Sequence, residues 1–394
     1  MKKSVAMKIV SFTLVFIFTL WAVIPRGRPA ESGAFAEAQQ CSASVKNDYR
    51  IDMPQIGAES AIVIDADSRS LLFAKGESII RGMASTTKIM TALVAIENCD
   101  PDAEFAIPAQ AVGIEGSSVY LIEGERLTLR ELLYCLLLES GNDAATAIAI
   151  CVGGSVEGFV NMMNSRAEEM GLKHTHFTNP HGLNDPDHHT TAHELALITA
   201  EAMEYPLFCE ITATKSLKVR RDGKENGRIL TNHNKLLRNY EGAMGVKTGY
   251  TIADGKCLVS AARRNGLTLI AVTLKDNSPV PNHKKLLDHG FESFEMRKIA
   301  KAGEISSQVP LENEVADFVT LCNPQDVSVC LPKGAKFQIE LHIPDSTEAP
   351  VSRGEALGEA RVLCDGKEVY IIYLEISESV KVKEKSFWEK LFGD

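Results

Sequence analysis

The sequence predicts an α+β fold: one antiparallel sheet with a helical subdomain inserted into it, and a small C-terminal all-β domain. Three observations carry this. Strand patterns open and close residues 45–300, with helical patterns only between them. Asn265-Gly266 lies between two apolar runs, the strongest short hairpin signal. Beyond about Ala302 the chain breaks into short β segments separated by Pro and Gly.

The elements follow in order. Ala61–Ala66 and Leu71–Ala74 read as two strands around the turn Asp67-Ser68-Arg69-Ser70. Thr87–Asn98 has Ile89, Met90, Leu93, Val94 and Ile96 on more than one face, which predicts a buried central helix. Leu129–Leu138 predicts a second apolar helix that delivers Ser140 at its end, with Gly141 as the stop signal. Ala144–Cys151 and Val156–Met170 predict two more helices. Met244–Thr251, Cys257–Ala262 and Leu267–Leu274 return to strand. In the C-terminal module the expected strands are Asp326–Cys330, Phe337–Ile343, Glu355–Leu363 and Val369–Leu374, with a turn at Leu331-Pro332-Lys333-Gly334.

The ends of the chain carry their own signals. Lys2, Lys3 and Lys8 precede an apolar run from Ile9 to Ile24, and Ala34-Phe35-Ala36 offers a small-residue cleavage site. Residues 1–36 therefore read as a signal peptide. They carry Lys2, Lys3, Lys8, Arg26 and Arg28 against Glu31, a net +4, so removing them takes the formal charge from −10 to −14. So acidic a chain lacks the basic footprint of a nucleic-acid binder. At the far end, Phe387, Trp388, Leu391 and Phe392 fall on one face of a helix among Lys385, Glu389 and Lys390. Residues 380–394 read as an amphipathic tail resting on a membrane surface. The expected division is thus a signal peptide (1–36), a main domain (45–300), a small β domain (305–377) and this tail.

Nine cysteines in an exported chain invite a disulfide reading, but the odd count and irregular spacing favour mostly free thiols. Cys135 and Cys257 lie in apolar segments and read as small buried hydrophobes. Six histidines crowd residues 174–193, and His189 and His193 are spaced as helical metal ligands would be. No His-Glu-x-x-His accompanies them, so the stretch reads as a polar loop entering a helix from Thr191. No metal or cofactor is expected.

The chemistry lies in three strings: Ser85-Thr86-Thr87-Lys88, Ser140-Gly141-Asn142 and Lys247-Thr248-Gly249. A serine hydroxyl needs a base to attack at neutral pH. The three-residue offset stacks Ser85 and Lys88 on one helical face. Lys88 serves as that base only when neutral; burial and a second cation, Lys247, would both lower its pKa. Ser140, a second hydroxyl between the two lysines, could relay a proton to a leaving amine, and Asn142 could bind a substrate amide. Lys247 and Thr248 suit an incoming carboxylate, and Gly249 lets a substrate backbone approach closely. The Ser85 and Tyr250 backbone N–H groups are the natural oxyanion donors.

Ser-x-x-Lys, Ser-x-Asn and Lys-Thr-Gly in this order are the signature set of serine β-lactamases and penicillin-binding proteins. The chain resembles the serine-type D-alanyl-D-alanine carboxypeptidases, the low-molecular-mass penicillin-binding proteins of peptidase family S11. Arg81-Gly82-Met83-Ala84, Asn179-Pro180-His181-Gly182-Leu183, Thr191-Ala192 and Gly245–Thr251 extend the likeness across residues 45–300. The resemblance implies a β-lactamase/transpeptidase-like fold and removal of the terminal D-alanine from peptidoglycan pentapeptide stems. In it Ser85 forms the acyl-enzyme, Lys88 takes its proton, Ser140 assists and Lys247 helps bind substrate. β-Lactams would acylate the same serine. Some members carry an arginine upstream of Lys-Thr-Gly; here Asn232-His233-Asn234 occupies that region. The alternatives are a β-lactamase or D,D-endopeptidase on the same scaffold, or a non-catalytic penicillin-sensing wall protein. The expected location is the outer face of the cytoplasmic membrane.

Overall fold

The structure, a computed structural model, describes residues 42–44, 49, 52, 54–221, 227–312 and 316–381. The expected signal peptide, and the tail from residue 382, lie outside the described residues.

The chain enters with a short strand, Ser42–Ser44 (β1). Ser60–Asp65 (β2) and Leu71–Lys75 (β3) form the expected hairpin, with Ile62 opposite Ala74 and Val63 opposite Phe73. A 3-10 turn at Ala84–Thr87 then leads into helix α1, Lys88–Asn98. Every residue of α1 from Lys88 to Ala95 is buried, as its all-round apolar pattern implies.

The insertion is mostly helical. Glu104–Ala106 (β4) pairs with Arg126–Thr128 (β5), and Leu129–Leu138 (α2) follows. Thr128 starts α2 with a reciprocal capping box, its side chain accepting from the Glu131 N–H while Glu131 reaches back. Asn142–Gly153 (α3), Val156–Glu169 (α4), Ala192–Met203 (α5) and Pro206–Ala213 (α6) come next. Ser216–Val219 (β6) pairs with Arg228–Thr231 (β7), and Leu236–Asn239 (α7) closes the insertion. Thr191 caps α5 by accepting from the Glu194 N–H. His189 lies outside that helix, in the stretch expected to be a polar loop, and is not aligned with His193 as a helical pair would be.

One detail between α2 and α3 differs from expectation. Gly141 does not end α2 in a left-handed conformation; Ser140 does, at φ 62°, while Gly141 serves as N-cap of α3. The next helix begins two residues earlier than its apolar pattern suggests, because Asn142 and Asp143 form its first turn. An acidic residue there meets the positive end of the helix dipole.

Ala243–Thr251 (β8), Gly255–Arg264 (β9) and Leu267–Leu274 (β10) complete a five-stranded sheet in the order β3-β2-β10-β9-β8. Both ends of the segment thus contribute to one antiparallel sheet. Asn265 and Gly266 both take positive φ in the β9–β10 turn, as a tight hairpin demands. All residues of β2 and β10 are buried. Ile62, Ile64, Ile270 and Val272 face the inserted helices. Ala61, Val63, Leu269 and Ala271 face Leu286 and Leu287 of α8, Pro279–Ser293. Each large apolar side chain buried this way contributes roughly 1.5–3 kcal/mol.

The β domain begins directly after α8. Phe294–Ala300 (β11), within the span assigned to the main domain, pairs with Val327–Pro332 (β14). Between them lie Ser306–Pro310 (β12) and Phe318–Cys322 (β13). Phe337–His342 (β15), Ala356–Cys364 (β16) and Lys367–Ile376 (β17) follow. The larger sheet runs β12-β13-β17-β16-β15, and β1 adds to β17. Its core holds Val309, Leu321, Val329, Val362, Ile372 and Leu374. A separate cluster joins Phe73 and Leu269 of the main sheet to Phe294 and Cys330 of the β domain. Tyr49 stacks edge-on to Phe294 there, with ring centres 5.4 Å apart. Eight described cysteines are free thiols, and Cys135 and Cys257 are buried as expected.

Candidate active site

The three strings converge. The 3-10 turn explains the first pairing. Side chains three apart eclipse in that geometry, and Lys88 continues the turn by donating its N–H to the Ser85 carbonyl. Lys88 Nζ therefore lies 3.0 Å from Ser85 Oγ. Ser85 is half-buried and Lys88 fully buried.

The amine of Lys88 has two further partners: Asn142 Oδ1 at 2.8 Å and the His181 carbonyl at 2.7 Å. These with Ser85 account for all three positions around the nitrogen. Asn142 is 3% exposed, and its Nδ2 donates to the Glu115 carbonyl at 2.5 Å. In this structure its amide thus orients Lys88, with neither end turned to open solvent. Ser140 is buried, and its hydroxyl hydrogen-bonds to neither lysine among the described residues.

β8 forms the facing wall. Lys247 is 1% exposed and donates to the Thr248 carbonyl at 2.7 Å. Burial first, then the positive charge of Lys247, push the Lys88 pKa well below the ordinary lysine range. Asp143 opposes this in part. Burial also pulls Lys247 down, to about 7. Lys88 carries in addition the repulsion of the second cation, which favours its neutral form further.

Gly249 has a different neighbour from the one expected. A Cβ there would lie 3.1 Å from the backbone nitrogens of both Ser85 and Thr86. The absent side chain makes room for the serine turn, so β8 can rest directly against it. Thr248 is partly exposed and Tyr250 exposed beside it.

Several supporting groups had no motif to announce them. Asp143 accepts from the Val119 and Leu121 N–H groups at 3.1 Å each and from the Ser118 hydroxyl at 2.7 Å, which fixes the loop over α3. Arg228 and Glu125, both buried, pair at 3.1 Å, and Arg228 also donates to the Val119 carbonyl at 2.7 Å. The one available signal for Asp143 was its place in the first turn of α3. Asn232-His233-Asn234 meets Glu139, the residue before Ser140, and the end of α6. Asn232 Nδ2 donates to the Thr212 and Thr214 carbonyls, and His233 meets the Glu139 carboxylate at 3.1 Å. No group of three or more metal-ligating side chains occurs among the described residues.

A buried serine–lysine pair on this sheet-and-helix scaffold, faced by a second buried lysine on the edge strand, marks a serine-active hydrolase of the penicillin-binding class. The family model for D-alanyl-D-alanine carboxypeptidase, peptidase S11, matches residues 47–278, and that for the C-terminal domain of penicillin-binding protein 5 matches residues 294–382. The chain is similar to D-alanyl-D-alanine carboxypeptidase DacF of Bacillus subtilis, 31% identical over 79% of this chain and 82% of the relative. It is also 31% identical to D-alanyl-D-alanine carboxypeptidase DacA of Escherichia coli, over 80% of this chain and 82% of that one. The crystal structure of penicillin binding protein 5 from Haemophilus influenzae superposes with a TM-score of 0.73 at 29% identity, covering 84% of this chain and 99% of that one. The chain belongs to the peptidase S11 family of D-alanyl-D-alanine carboxypeptidases.

Proposed function

We propose that this chain removes the terminal D-alanine from peptidoglycan pentapeptide stems, with Ser85 as nucleophile. The observation that carries the reading is the 3.0 Å contact between Ser85 Oγ and an amine whose hold on a proton is weakened by burial and by Lys247. Neutral Lys88 takes the hydroxyl proton as Ser85 Oγ bonds to the carbonyl carbon of the penultimate D-alanine. The oxyanion that forms is met by the Ser85 N–H, which belongs to a first turn where no intrahelical acceptor reaches it. The Tyr250 N–H is the second donor. Collapse breaks the C–N bond, and the proton held by Lys88 passes through the Ser140 hydroxyl to the leaving amine, which returns Lys88 to its neutral form. Lys247 and Thr248 hold the terminal carboxylate, and Asn142 keeps Lys88 aimed. Water then attacks the ester, Lys88 again taking the proton, and Ser85 is released.

A β-lactam follows the same first step, but its leaving amine stays tethered to the acyl group. The expected signal peptide, residues 1–36, and the aromatic tail of residues 380–394 support a protein exported and held at the outer face of the cytoplasmic membrane. No single helix among the described residues is long and apolar enough to cross a membrane.

The test is covalent labelling. A fluorescent penicillin should mark the wild type and leave Ser85→Ala dark; equal labelling of the two would sink the assignment. A peptide ending in D-Ala-D-Ala should then yield free D-alanine. Rapid β-lactam turnover without D-alanine release would point to a β-lactamase instead.

A further inference from the structure

Ala84, the residue before Ser85, has φ 47°, in the left-handed region that an alanine avoids because its Cβ crowds the next carbonyl. Something must hold it there. Both polar groups of the residue are gripped. Its N–H donates to Asp254 Oδ2 at 3.1 Å. Its carbonyl accepts the Thr87 hydroxyl at 2.7 Å.

Thr87 has a further partner, His188 Nε2, at 2.7 Å. The Thr178 N–H donates to His188 Nδ1 at 3.0 Å. A ring nitrogen that accepts carries no proton, so the neutral ring holds its hydrogen on Nε2, facing Thr87. The order of donation is then fixed: Thr178 to His188, His188 to Thr87, Thr87 to Ala84. Burial favours the neutral ring and pushes His188 down to about 4; Asp185 works against this, while His176, His189 and Lys88 add to it.

Two glycines leave room for these grips. A Cβ on Gly82 would stand 1.9 Å from Asp254 Oδ1, and one on Gly182 would stand 1.9 Å from the Ala84 oxygen. Asp254 occupies the β8–β9 turn, where its own N–H donates to Thr251 Oγ1 at 2.9 Å. Gly182 follows His181, whose carbonyl holds Lys88. The first grip comes from the turn of the Lys-Thr-Gly hairpin; the second comes from Thr87 of the serine turn itself, backed by His188 beyond the 179–183 loop.

We infer that Asp254 and His188 are positioning residues for Ser85: together they hold the Ala84 peptide so that the Ser85 hydroxyl stays within reach of Lys88. The inference rests on Ser85 being the nucleophile. Neither residue touches the reacting atoms; each acts through the backbone of Ala84.

The test measures the rate of acylation by a fluorescent penicillin in the full chain, at a temperature well below each variant's thermal midpoint. Asp254→Ala and His188→Leu should acylate roughly 10- to 100-fold more slowly, the usual cost of a misplaced reacting group. The adduct should still map to Ser85 by mass spectrometry. Asp254→Asn keeps an acceptor for the Ala84 N–H, and His188→Gln keeps an acceptor and a donor, so both should recover most of the rate. That rescue would not follow from general destabilisation. Wild-type rates in Asp254→Ala and His188→Leu, with Ser85→Ala unlabelled, would overturn the inference and leave the nucleophile in place. Equal slowing in the conservative variants would overturn it too. Labelling of Ser85→Ala at the wild-type level would instead remove the nucleophile assignment itself.

Discussion

Between residues 54 and 293 the interior holds Lys88, Lys247, Asp143, Glu125 and Arg228, all less than a tenth exposed. Between 294 and 381 the buried polar residue among the described ones is Asn323 alone. Both regions have apolar cores of the ordinary kind. The difference is that one of them keeps charged groups out of water, where an isolated charge is costly. Such groups persist when they are paired or when their shifted protonation is used. Arg228 and Glu125 are the paired case. The two lysines are the other: no carboxylate hydrogen-bonds to Lys88 Nζ, whose partners are a hydroxyl, an amide oxygen and a carbonyl. The β domain has no such arrangement and reads as a stable support.

Lys88→Ala is the sharpest way to probe this contrast. Loss of a positioned proton acceptor should lower the acylation rate by roughly 10²- to 10⁴-fold, while the fold survives because the variant removes a buried amine. Leu374→Ala, in the core of the β domain, should cost about 2–5 kcal/mol of stability there and leave the acylation rate per folded molecule unchanged. Stopped-flow or gel-based labelling with a fluorescent penicillin separates the two. Comparable slowing in both variants would show that the β domain shapes the site, and the contrast would break.

Acid should divide the regions next. Burial holds His283 and His181 down to about 3 and His188 to about 4, all in the main domain. Their folded pKa values lie below the unfolded value near 6.5. Below pH 6.5 the unfolded chain therefore binds more protons, and stability falls as the pH drops toward the folded values. The slope is about 1.4 kcal/mol per pH unit for each histidine, about 4 kcal/mol for the three. Asp65, pushed up to about 6 by burial, acts in the opposite direction, as do Asp67 and Glu204, which burial also raises, and these offset part of the histidine slope. Hydrogen exchange followed by mass spectrometry at pH 7 and pH 5 should show protection lost from the main-domain sheet before the sheet of the β domain. Equal loss in both would mean that these buried rings do not set the acid limit.

The sequence already showed most of this scaffold and the three strings at its centre. Alternating strands around Asn265-Gly266, the all-round apolar α1 and the apolar α2 are local patterns, and they fold as local physics requires. The offset of Ser85 and Lys88 was legible for the same reason. Asp254 and His188 were not, because their meeting with the Ala84 turn depends on tertiary approach across 170 residues in one case and on the Thr87 hydroxyl in the other. The contact of Gly249 with the serine turn was hidden similarly: a glycine announces close approach without saying by what. The boundary after α8 was hidden because β11 is mostly half-buried and shows no clean alternation. Its pairing with β14 is what places it in the second domain.

The smallest effect belongs to Asn323, the polar exception in the β domain. Its Nδ2 donates to the Lys301 and Gln325 carbonyls, each at 2.8 Å, and its Oδ1 accepts from the Ile305 N–H at 2.9 Å. One side chain thus ties the 301–305 turn to the end of β13. Asn323→Ala would take a partner from three backbone groups, of which the Lys301 carbonyl keeps the Glu304 N–H, at a cost of about 1–3 kcal/mol in total. Denaturant unfolding should show that loss, while the rate of penicillin acylation stays at the wild-type value. The reason for the second half is positional: every partner of Asn323 lies within the β domain, whereas every partner of Lys88 lies in the main one. A slowed acylation in Asn323→Ala would mean that the packed junction around Phe294 transmits strain from one core to the other, and that the buried charges of the main domain depend on a neighbour that holds none.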